Sequence, residues 1–288
     1  MFGTLLGPLP RPPVAPDAPP EAILDAILDV QAMAGLEPLT DGGWPLVSDD
    51  PVAAWRATAA RTATTTKAVL DGPFTTGVPI GGSVEPWRRR IADLAAAGCL
   101  LVEIHEPGAV GIGDDPAERA RFRDLHERLA DGWSEVVHLS LAITGGSADP
   151  AGPETILSAP YSSLAVDLID GPDNWRLVRA APLERGIVCG ALDTAEGSDD
   201  AKELLVWAVS YAASGGRGIE RVGVATAGSL AALPWASVVR KLERIAEAVR
   251  ITNLPSAERL AALDPRAVDI RSAALGRYDP SAPRPPRP

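Results

Sequence analysis

The chain has 288 residues, of which 46% are hydrophobic and 23% are charged, and its formal net charge is -11 at pH 7. This composition is that of a globular protein with enough apolar side chains for one large core. The acidic surface argues against nucleic acids and anionic membranes as partners, because it would repel their phosphate groups. We find no apolar run of the roughly 20 residues that a membrane helix needs and no secretory signal, so we expect a cytoplasmic protein.

Short apolar runs alternate along the chain with longer amphipathic stretches, and eight of these runs are predicted strands. They are residues 3–7, 37–40, 67–72, 99–104, 135–143, 164–169, 187–193 and 221–226. Most of the intervening stretches carry one apolar stripe at helical spacing, as Ile23, Ile27 and Val30 do. Residues 150–159 and 172–180 are predicted as short helices at most.

The alternation of eight strands with helices predicts a single (β/α)8 TIM barrel, formed by residues 1–255. Residues 256–288 are a C-terminal extension that ends in SAPRPPRP, and we expect its end, beyond about residue 275, to be disordered. The alternative fold is an open doubly wound sheet. That fold would place a glycine-rich loop after the first strand, where this chain has GPLPRPPVAP instead.

The two cysteines of the chain, Cys99 and Cys189, each lie in an apolar run. Apolar runs of this length indicate buried strands, and cytoplasmic thiols are normally kept reduced. We therefore predict two buried, reduced cysteines that serve packing.

Several polar residues fall at the predicted carboxyl ends of strands, where TIM barrels bind their ligands. His105 and Glu106 close the predicted fourth strand, and two adjacent titratable groups at such a position suit acid–base catalysis. The predicted catalytic residues are His105, Glu106, His138 and Asp167, which we expect to face one cavity at this end of the barrel. The residues predicted to contact a small-molecule substrate are Asp41, Thr75, Ser140 and Asp193.

Each of these assignments has a structural alternative. A carboxylate at a strand end often caps the next turn or helix, and this alternative applies to Asp41, Asp71 and Asp170. A single histidine in a strand, such as His138, is often a satisfied core residue. His126 lies among charged residues in a predicted helix, which indicates a solvated face.

Five segments of the chain, in order, resemble the catalytic barrel of the cobalamin-independent methionine synthases. They are GTLLGPLPRP from residue 3, DVQAMAGLEPLTDGGW at 29–44, KAVLDGPFTTG at 67–77, LVEIHEPG at 101–108 and GIVCGALDTAEGSDD at 186–200. The resemblance implies a barrel of the methionine synthase and uroporphyrinogen decarboxylase type. It also implies an S-methyltransferase of methionine biosynthesis, with a methylated folate as co-substrate and a zinc ion that holds the acceptor thiol as thiolate.

The zinc ligands that the resemblance implies are largely missing. His138 matches the family's histidine and Asp167 takes the place of a glutamate, but Ser140 and Ala227 stand where the family has cysteines. Zinc sites normally need three or four protein ligands, so we expect weak or absent zinc, no metal-ligand residues and no other cofactor. Gly43, where the family has an acidic residue that contacts its substrate, also changes the expected substrate.

Three hypotheses about function follow. The sequence favours the first, a divergent enzyme that keeps the family's pocket but has altered chemistry. The second is a non-catalytic relative that keeps the barrel for packing and binds a ligand or a protein partner. The third is methyl transfer without tight zinc, in which His138 and Asp167 activate the thiol directly.

Overall fold

The structure, a computed structural model, describes residues 1–44, 50–198 and 201–263. Within these residues, seven strands form one curled sheet in which all neighbouring strands are parallel. They are β1 (Phe2–Thr4), β2 (Lys67–Asp71), β3 (Leu101–His105), β4 (His138–Ile143), β5 (Ser163–Asp167), β6 (Gly186–Leu192) and β7 (Val222–Thr226). Their order across the sheet is β1-β7-β6-β5-β4-β3-β2, so the first two strands in the chain lie at opposite edges.

Helices connect the strands. They are α1 (Pro20–Met33), α2 (Pro51–Ala59), α3 (Glu85–Ala96), α4 (Pro116–Ala130), α5 (Pro153–Ile156), α6 (Trp175–Ala180), α7 (Lys202–Ala213), α8 (Trp235–Thr252) and α9 (Ser256–Ala262). The two regions predicted as short helices contain α5 and α6, of four and six residues, as expected. None of the helices in the described part of the chain is long and apolar enough to cross a membrane.

The segment predicted as the second strand, residues 37–40, lies between the two edge strands. The backbone N–H of Glu37 donates to the Gly3 carbonyl of β1 (2.8 Å), and the Lys67 N–H of β2 donates to the Leu39 carbonyl (3.0 Å). Only one β-bridge forms, between Leu39 and Thr66. Pro38 has no N–H to donate and cannot extend a ladder, so the described residues form a seven-stranded curled sheet in place of the predicted eight strands.

Side chains alternate between the two faces of the sheet. The outer face is apolar, with residues such as Ile104, Leu141 and Val166 packed in the main core that the helices cover. The inner face carries small side chains, and a second, smaller core there consists of Leu6, Ala142, Ala165, Val188 and Ala225. The concave side of the sheet is therefore lightly filled compared with the bulky layers that usually fill a barrel.

The strand that carries His138 begins later than predicted. The backbone N–H groups of Val136 and Val137 both donate to the Trp133 carbonyl, and this turn occupies the start of the predicted strand at 135–143. His138 is consequently the first residue of β4. This difference of three residues decides at which end of the sheet its side chain lies.

The cysteine prediction is confirmed, because Cys99 and Cys189 are both buried and unpaired. Burial raises the pKa of both thiols, that of Cys189 to about 12. The C-terminal extension begins with α9, whereas its proline-rich end lies outside the described residues.

Candidate functional site

A cavity of about 350 Å³ opens at the carboxyl ends of the strands; we call it the C-terminal mouth. Its polar lining consists of Thr40, Asp41, Asp71, Glu103 and His105. Asp71 and His105 are the last residues of β2 and β3 and lie opposite each other in register. Because parallel strands all end at the same edge, the fold brings these side chains to one place.

His105 is the basic group of the C-terminal mouth. Its Nε2 lies 2.8 Å from the Thr144 hydroxyl, just beyond the end of β4. Burial lowers the pKa of His105, although the nearby carboxylates of Glu103 and Asp71 act in the opposite direction. The imidazole is therefore neutral at neutral pH and can exchange a proton with a bound molecule.

Asp41 and Asp71 supply carboxylates at the rim of the C-terminal mouth. Asp41 accepts a hydrogen bond from the Gly43 backbone N–H (2.9 Å), which is the turn-capping role considered above. Burial raises the pKa of Asp41, and the Gly43 hydrogen bond partly offsets that rise. Asp71 is exposed at the end of β2. Both carboxylates also line an adjoining hollow of about 380 Å³ that extends to Trp87 and Arg90.

A buried ion pair lies below the mouth, on the inner face of the sheet. Lys67 Nζ is 2.6 Å from Glu103 Oε2, and the two side chains are only 2% and 4% exposed. Lys67 also donates to the Leu5 carbonyl (2.7 Å). Sequence reasoning missed both residues, although each is a charged residue inside an apolar strand, in KAVL and LVEI, and that pattern could have identified them.

Glu106 follows His105 but turns away from the mouth. Its carboxylate is fully buried and accepts hydrogen bonds from the backbone N–H groups of Phe74 (2.9 Å) and Thr75 (2.7 Å). Its Oε1 also lies 3.1 Å from Nε2 of His126 on α4. Burial acts to raise the pKa of Glu106, but His126 and these hydrogen bonds outweigh it and lower the pKa.

His126 is fully buried, so the solvated face predicted for it is wrong. Its ring contacts Phe122, four residues earlier on α4, with ring centroids 4.1 Å apart, and its Nδ1 lies 2.7 Å from the Tyr161 hydroxyl. The spacing 122, 125, 126, 129 in the sequence is the signal that places His126 on the apolar face of the helix.

Asp167 is buried at the end of β5 and binds the loops around it. One carboxylate oxygen accepts from the Gly145 N–H (3.1 Å), and the other accepts from the N–H groups of Ile169 (2.9 Å) and Asp170 (3.0 Å). Burial raises the pKa of Asp167, and these backbone hydrogen bonds oppose the rise. Asp167 lies at the carboxyl-terminal end of the sheet, but its carboxylate is occupied by hydrogen bonds from the loops after β4 and β5.

His138 and Ser140 lie at the opposite, amino-terminal end of the sheet. The last pair in the β4–β5 register joins Ile143 to Val166, so Asp167 lies one residue further on, six residues beyond the level of His138. At about 3.3 Å per residue, that separation is roughly 20 Å along the strand. His138 and Glu106 therefore do not share a cavity with His105, and the predicted convergence of four residues is wrong.

The remaining predicted substrate residues, Thr75 and Asp193, make local contacts. The Thr75 hydroxyl accepts from the Gly108 N–H (2.9 Å), which ties together the loops after β2 and β3. Asp193 follows β6, where its carboxylate accepts from the Ala195 N–H (2.7 Å). Neither residue lines the C-terminal mouth.

The residues that could hold zinc do not fit that metal. Ala142 and Thr144 lie at the carboxyl end of β4 on the inner side of the sheet. His138 lies roughly 20 Å from Thr144 along the strand. Among residues 1–44, 50–198 and 201–263, no group of three or more His, Cys, Asp or Glu side chains is arranged to bind a metal ion. The donors of a tetrahedral zinc site are therefore not brought together here.

We expect the purified protein to contain well below one zinc ion per chain. The physical reason is the separation of His138 from Asp167, which prevents the two side chains from sharing one ion. Elemental analysis after dialysis checks this prediction, with His138→Ala as the matched variant. One zinc per chain that is lost in His138→Ala would contradict it.

No family model matches the chain, and no curated protein is similar to it in sequence. Solved structures do share its fold. A B12-independent methionine synthase from Shewanella sp. W3-18-1, solved in complex with selenomethionine, has a TM-score of 0.64 at 14% identity and covers 86% of this chain and 97% of its own. A putative vitamin-B12-independent methionine synthase from Listeria monocytogenes has a TM-score of 0.65 at 11% identity, with 88% and 97% covered.

A dihydrodipicolinate synthase from Bacillus anthracis is also similar, with a TM-score of 0.50 at 11% identity and 99% of both chains covered. At these identities, the similarity establishes a TIM-barrel-like fold and no specific chemistry.

Proposed function

We propose that this chain is a divergent methionine-synthase-like barrel whose C-terminal mouth binds a small molecule through a positively charged amino group. The observation that carries the proposal is the convergence of Asp41, Asp71 and His105 on one cavity of about 350 Å³. The structural relative solved with selenomethionine, an amino acid with an ammonium group, supports this choice of ligand class.

The charges of the mouth favour a cation. Glu103 is neutralised by Lys67, so Asp41 and Asp71 provide the uncompensated negative charge, while His105 is neutral. An ammonium group near two carboxylates gains charge-assisted hydrogen bonds that an uncharged group does not. The size of the cavity lies within the usual range of small-molecule sites, roughly 300–1,000 Å³.

We assign His105 as the group that moves a proton. As a neutral imidazole beside Thr144, it can accept a proton from a bound thiol and leave the reactive thiolate. Methyl transfer from a methylated folate to such a thiol is the reaction that the family resemblance suggests. The proposal uses no zinc, and it replaces the direct activation by His138 and Asp167, because those two residues lie too far apart.

We also infer that residues 37–40 close the sheet into an eight-stranded barrel. This inference is supported by the contacts of the segment with β1 and β2, including the hydrogen bond from the Thr4 hydroxyl to the Pro38 carbonyl (2.8 Å). Closure would place Thr40 and Asp41 at the rim beside Asp71.

The binding proposal predicts that L-methionine binds and that N-acetyl-L-methionine, which lacks the cationic amino group, does not. Asp41→Asn should weaken methionine binding about tenfold, equal to about 1.4 kcal/mol. Isothermal titration calorimetry measures both effects. Asp170→Asn, in an exposed loop after β5, is the matched control and should leave the affinity unchanged.

The affinity for L-methionine should be highest near pH 7, where its amino group is protonated, and fall as the pH is lowered below 6.5. Asp41 has a raised pKa, so it loses its negative charge at a higher pH than an ordinary aspartate, and His105 becomes positive below its lowered pKa. Both changes oppose a cationic ligand. Affinity that is constant down to pH 4.5, or equal binding of the acetylated compound, would refute the ammonium site.

The non-catalytic hypothesis is the second candidate, and the engagement of Glu106 and Asp167 in loop contacts favours it. An assay of methyl transfer from 5-methyltetrahydrofolate to homocysteine separates the two. Turnover that His105→Ala reduces by about 10²-fold or more is expected of a general base. Binding without turnover would support the non-catalytic alternative.

A further inference from the structure

A second and larger cavity, of about 660 Å³, opens at the amino-terminal ends of the strands, opposite to the C-terminal mouth. We call it the N-terminal chamber. The first residues of several strands line it, among them Phe2, Leu101, His138, Ser163 and Gly186. Ligands of TIM-barrel enzymes bind at the other end, so the function proposed above does not account for this space.

The chamber exists because three neighbouring strands contribute very small residues at one level. Ser140 of β4, Ser163 of β5 and Gly186 of β6 are direct partners in the register of the sheet. Barrel interiors are normally filled at such positions by Val, Ile or Leu. A residue as large as leucine at any of the three positions would reduce the chamber, and the sequence instead leaves it open.

Two polar side chains point into the chamber with hydrogen-bonding capacity to spare. Ser140 is only 2% exposed, and its side chain lines the chamber. A serine hydroxyl can both donate a hydrogen bond to a bound molecule and accept one from it. His138 uses Nε2 toward the Ser163 hydroxyl (2.8 Å), which leaves Nδ1 for a bound molecule.

The charges around the chamber select against anions. Its inner end is formed by the Lys67–Glu103 pair, whose charges cancel. Its rim carries the exposed carboxylates of Glu37, Glu184 and Glu220, with one nearby guanidinium from Arg221. Phosphate or carboxylate groups would approach an acidic rim, whereas an uncharged molecule meets no such barrier.

Apolar side chains complete the lining on the other walls. They are Phe2, Leu101, Ile187 and Val188. A matching ligand has apolar faces for these walls and one edge of donors and acceptors for Ser140 and His138. These are the properties of an uncharged, flat heteroaromatic ring.

We propose that the N-terminal chamber is a second ligand site that takes a small uncharged heteroaromatic compound of the nucleobase class. The ring contacts Phe2 and Leu101, and its polar edge bonds to the Ser140 hydroxyl and the free nitrogen of His138. This site lies at the opposite end of the sheet from the C-terminal mouth and does not depend on the function proposed there.

Isothermal titration calorimetry of the full chain with adenine, cytosine and nicotinamide tests the proposal. At least one of the three should bind saturably at one molecule per chain. Ser140→Ala should weaken that binding at least fivefold, and Ser140→Val, which adds bulk as well, at least twentyfold. Adenosine monophosphate should bind at least tenfold more weakly than adenine because of the acidic rim.

Two controls locate the site and its chemistry. His105→Ala, at the opposite end of the sheet, should leave the affinity for the heteroaromatic probe within twofold of the unaltered protein. Glucose, a neutral polyhydroxylated probe, should not bind. Binding of none of the three heteroaromatic compounds, preference for glucose, or binding that is lost in His105→Ala but kept in Ser140→Ala would each overturn the proposal.

Discussion

Replacing Lys67 with alanine should lower the free energy of unfolding by about 3–5 kcal/mol. Lys67 and Glu103 are almost completely buried, with Nζ and Oε2 2.6 Å apart. Removal of the lysine leaves the Glu103 carboxylate in a poorly solvated interior without its counter-charge. The Leu5 carbonyl also loses a hydrogen bond. Urea denaturation followed by circular dichroism measures the change.

Two controls distinguish this effect from a general cost of mutation. The double variant Lys67→Met/Glu103→Leu should recover most of the loss, because an apolar pair of similar volume leaves no buried charge. Arg61→Ala breaks the Arg61–Asp25 pair, whose side chains are 29% and 51% exposed, and should cost less than about 1 kcal/mol. A Lys67→Ala protein as stable as the unaltered protein would contradict the buried pair.

Replacing Glu106 with alanine should destabilise the protein by about 2–5 kcal/mol. The variant leaves the backbone N–H groups of Phe74 and Thr75 without their acceptor and removes the carboxylate beside His126. Glu106→Gln keeps an acceptor oxygen and should be less damaging at pH 7. Glu127→Gln, at an exposed position on α4, is the matched control and should change stability by less than about 0.5 kcal/mol.

The effect of Glu106→Gln should depend on pH in a defined direction. The pKa of Glu106 is lower in the folded protein than its ordinary value of 4.5. Its stabilising contribution is therefore complete above about pH 4.5 and is lost as the pH falls through the lowered pKa. Unfolding measured from pH 7 to pH 3 should show the two proteins converging at the acid end. A constant difference over this range would show that Glu106 does not act through its charge.

The sheet was predictable because its strands are short apolar runs separated by helices with one apolar stripe. Both patterns indicate which side chains are buried. Seven of the eight predicted strands accordingly overlap strands of the described structure. The eighth, at residues 37–40, contains Pro38, whose effect on a strand ladder is local and could have been weighed from the sequence.

The candidate site was predicted less well because it depends on strand boundaries and on backbone turns. The run from 135 to 143 is apolar at its start because of Val136 and Val137, yet these residues form a turn. His138 is therefore the first residue of β4 and lies at the opposite end of the sheet from the predicted position. Glu106 turns outward because the backbone changes direction after His105, and no residue pattern in the sequence reports that change. His105 and Asp41 lie at the mouth as expected, since each directly ends or follows a predicted strand.

The C-terminal mouth and the N-terminal chamber share one wall, because the Glu103 side chain lines both. The ion pair with Lys67 therefore acts as a partition inside the sheet as well as a stabilising contact. A shorter side chain at position 103 would join the two compartments into a passage open at both ends. Any substitution of Glu103 consequently changes the lining of both cavities at once.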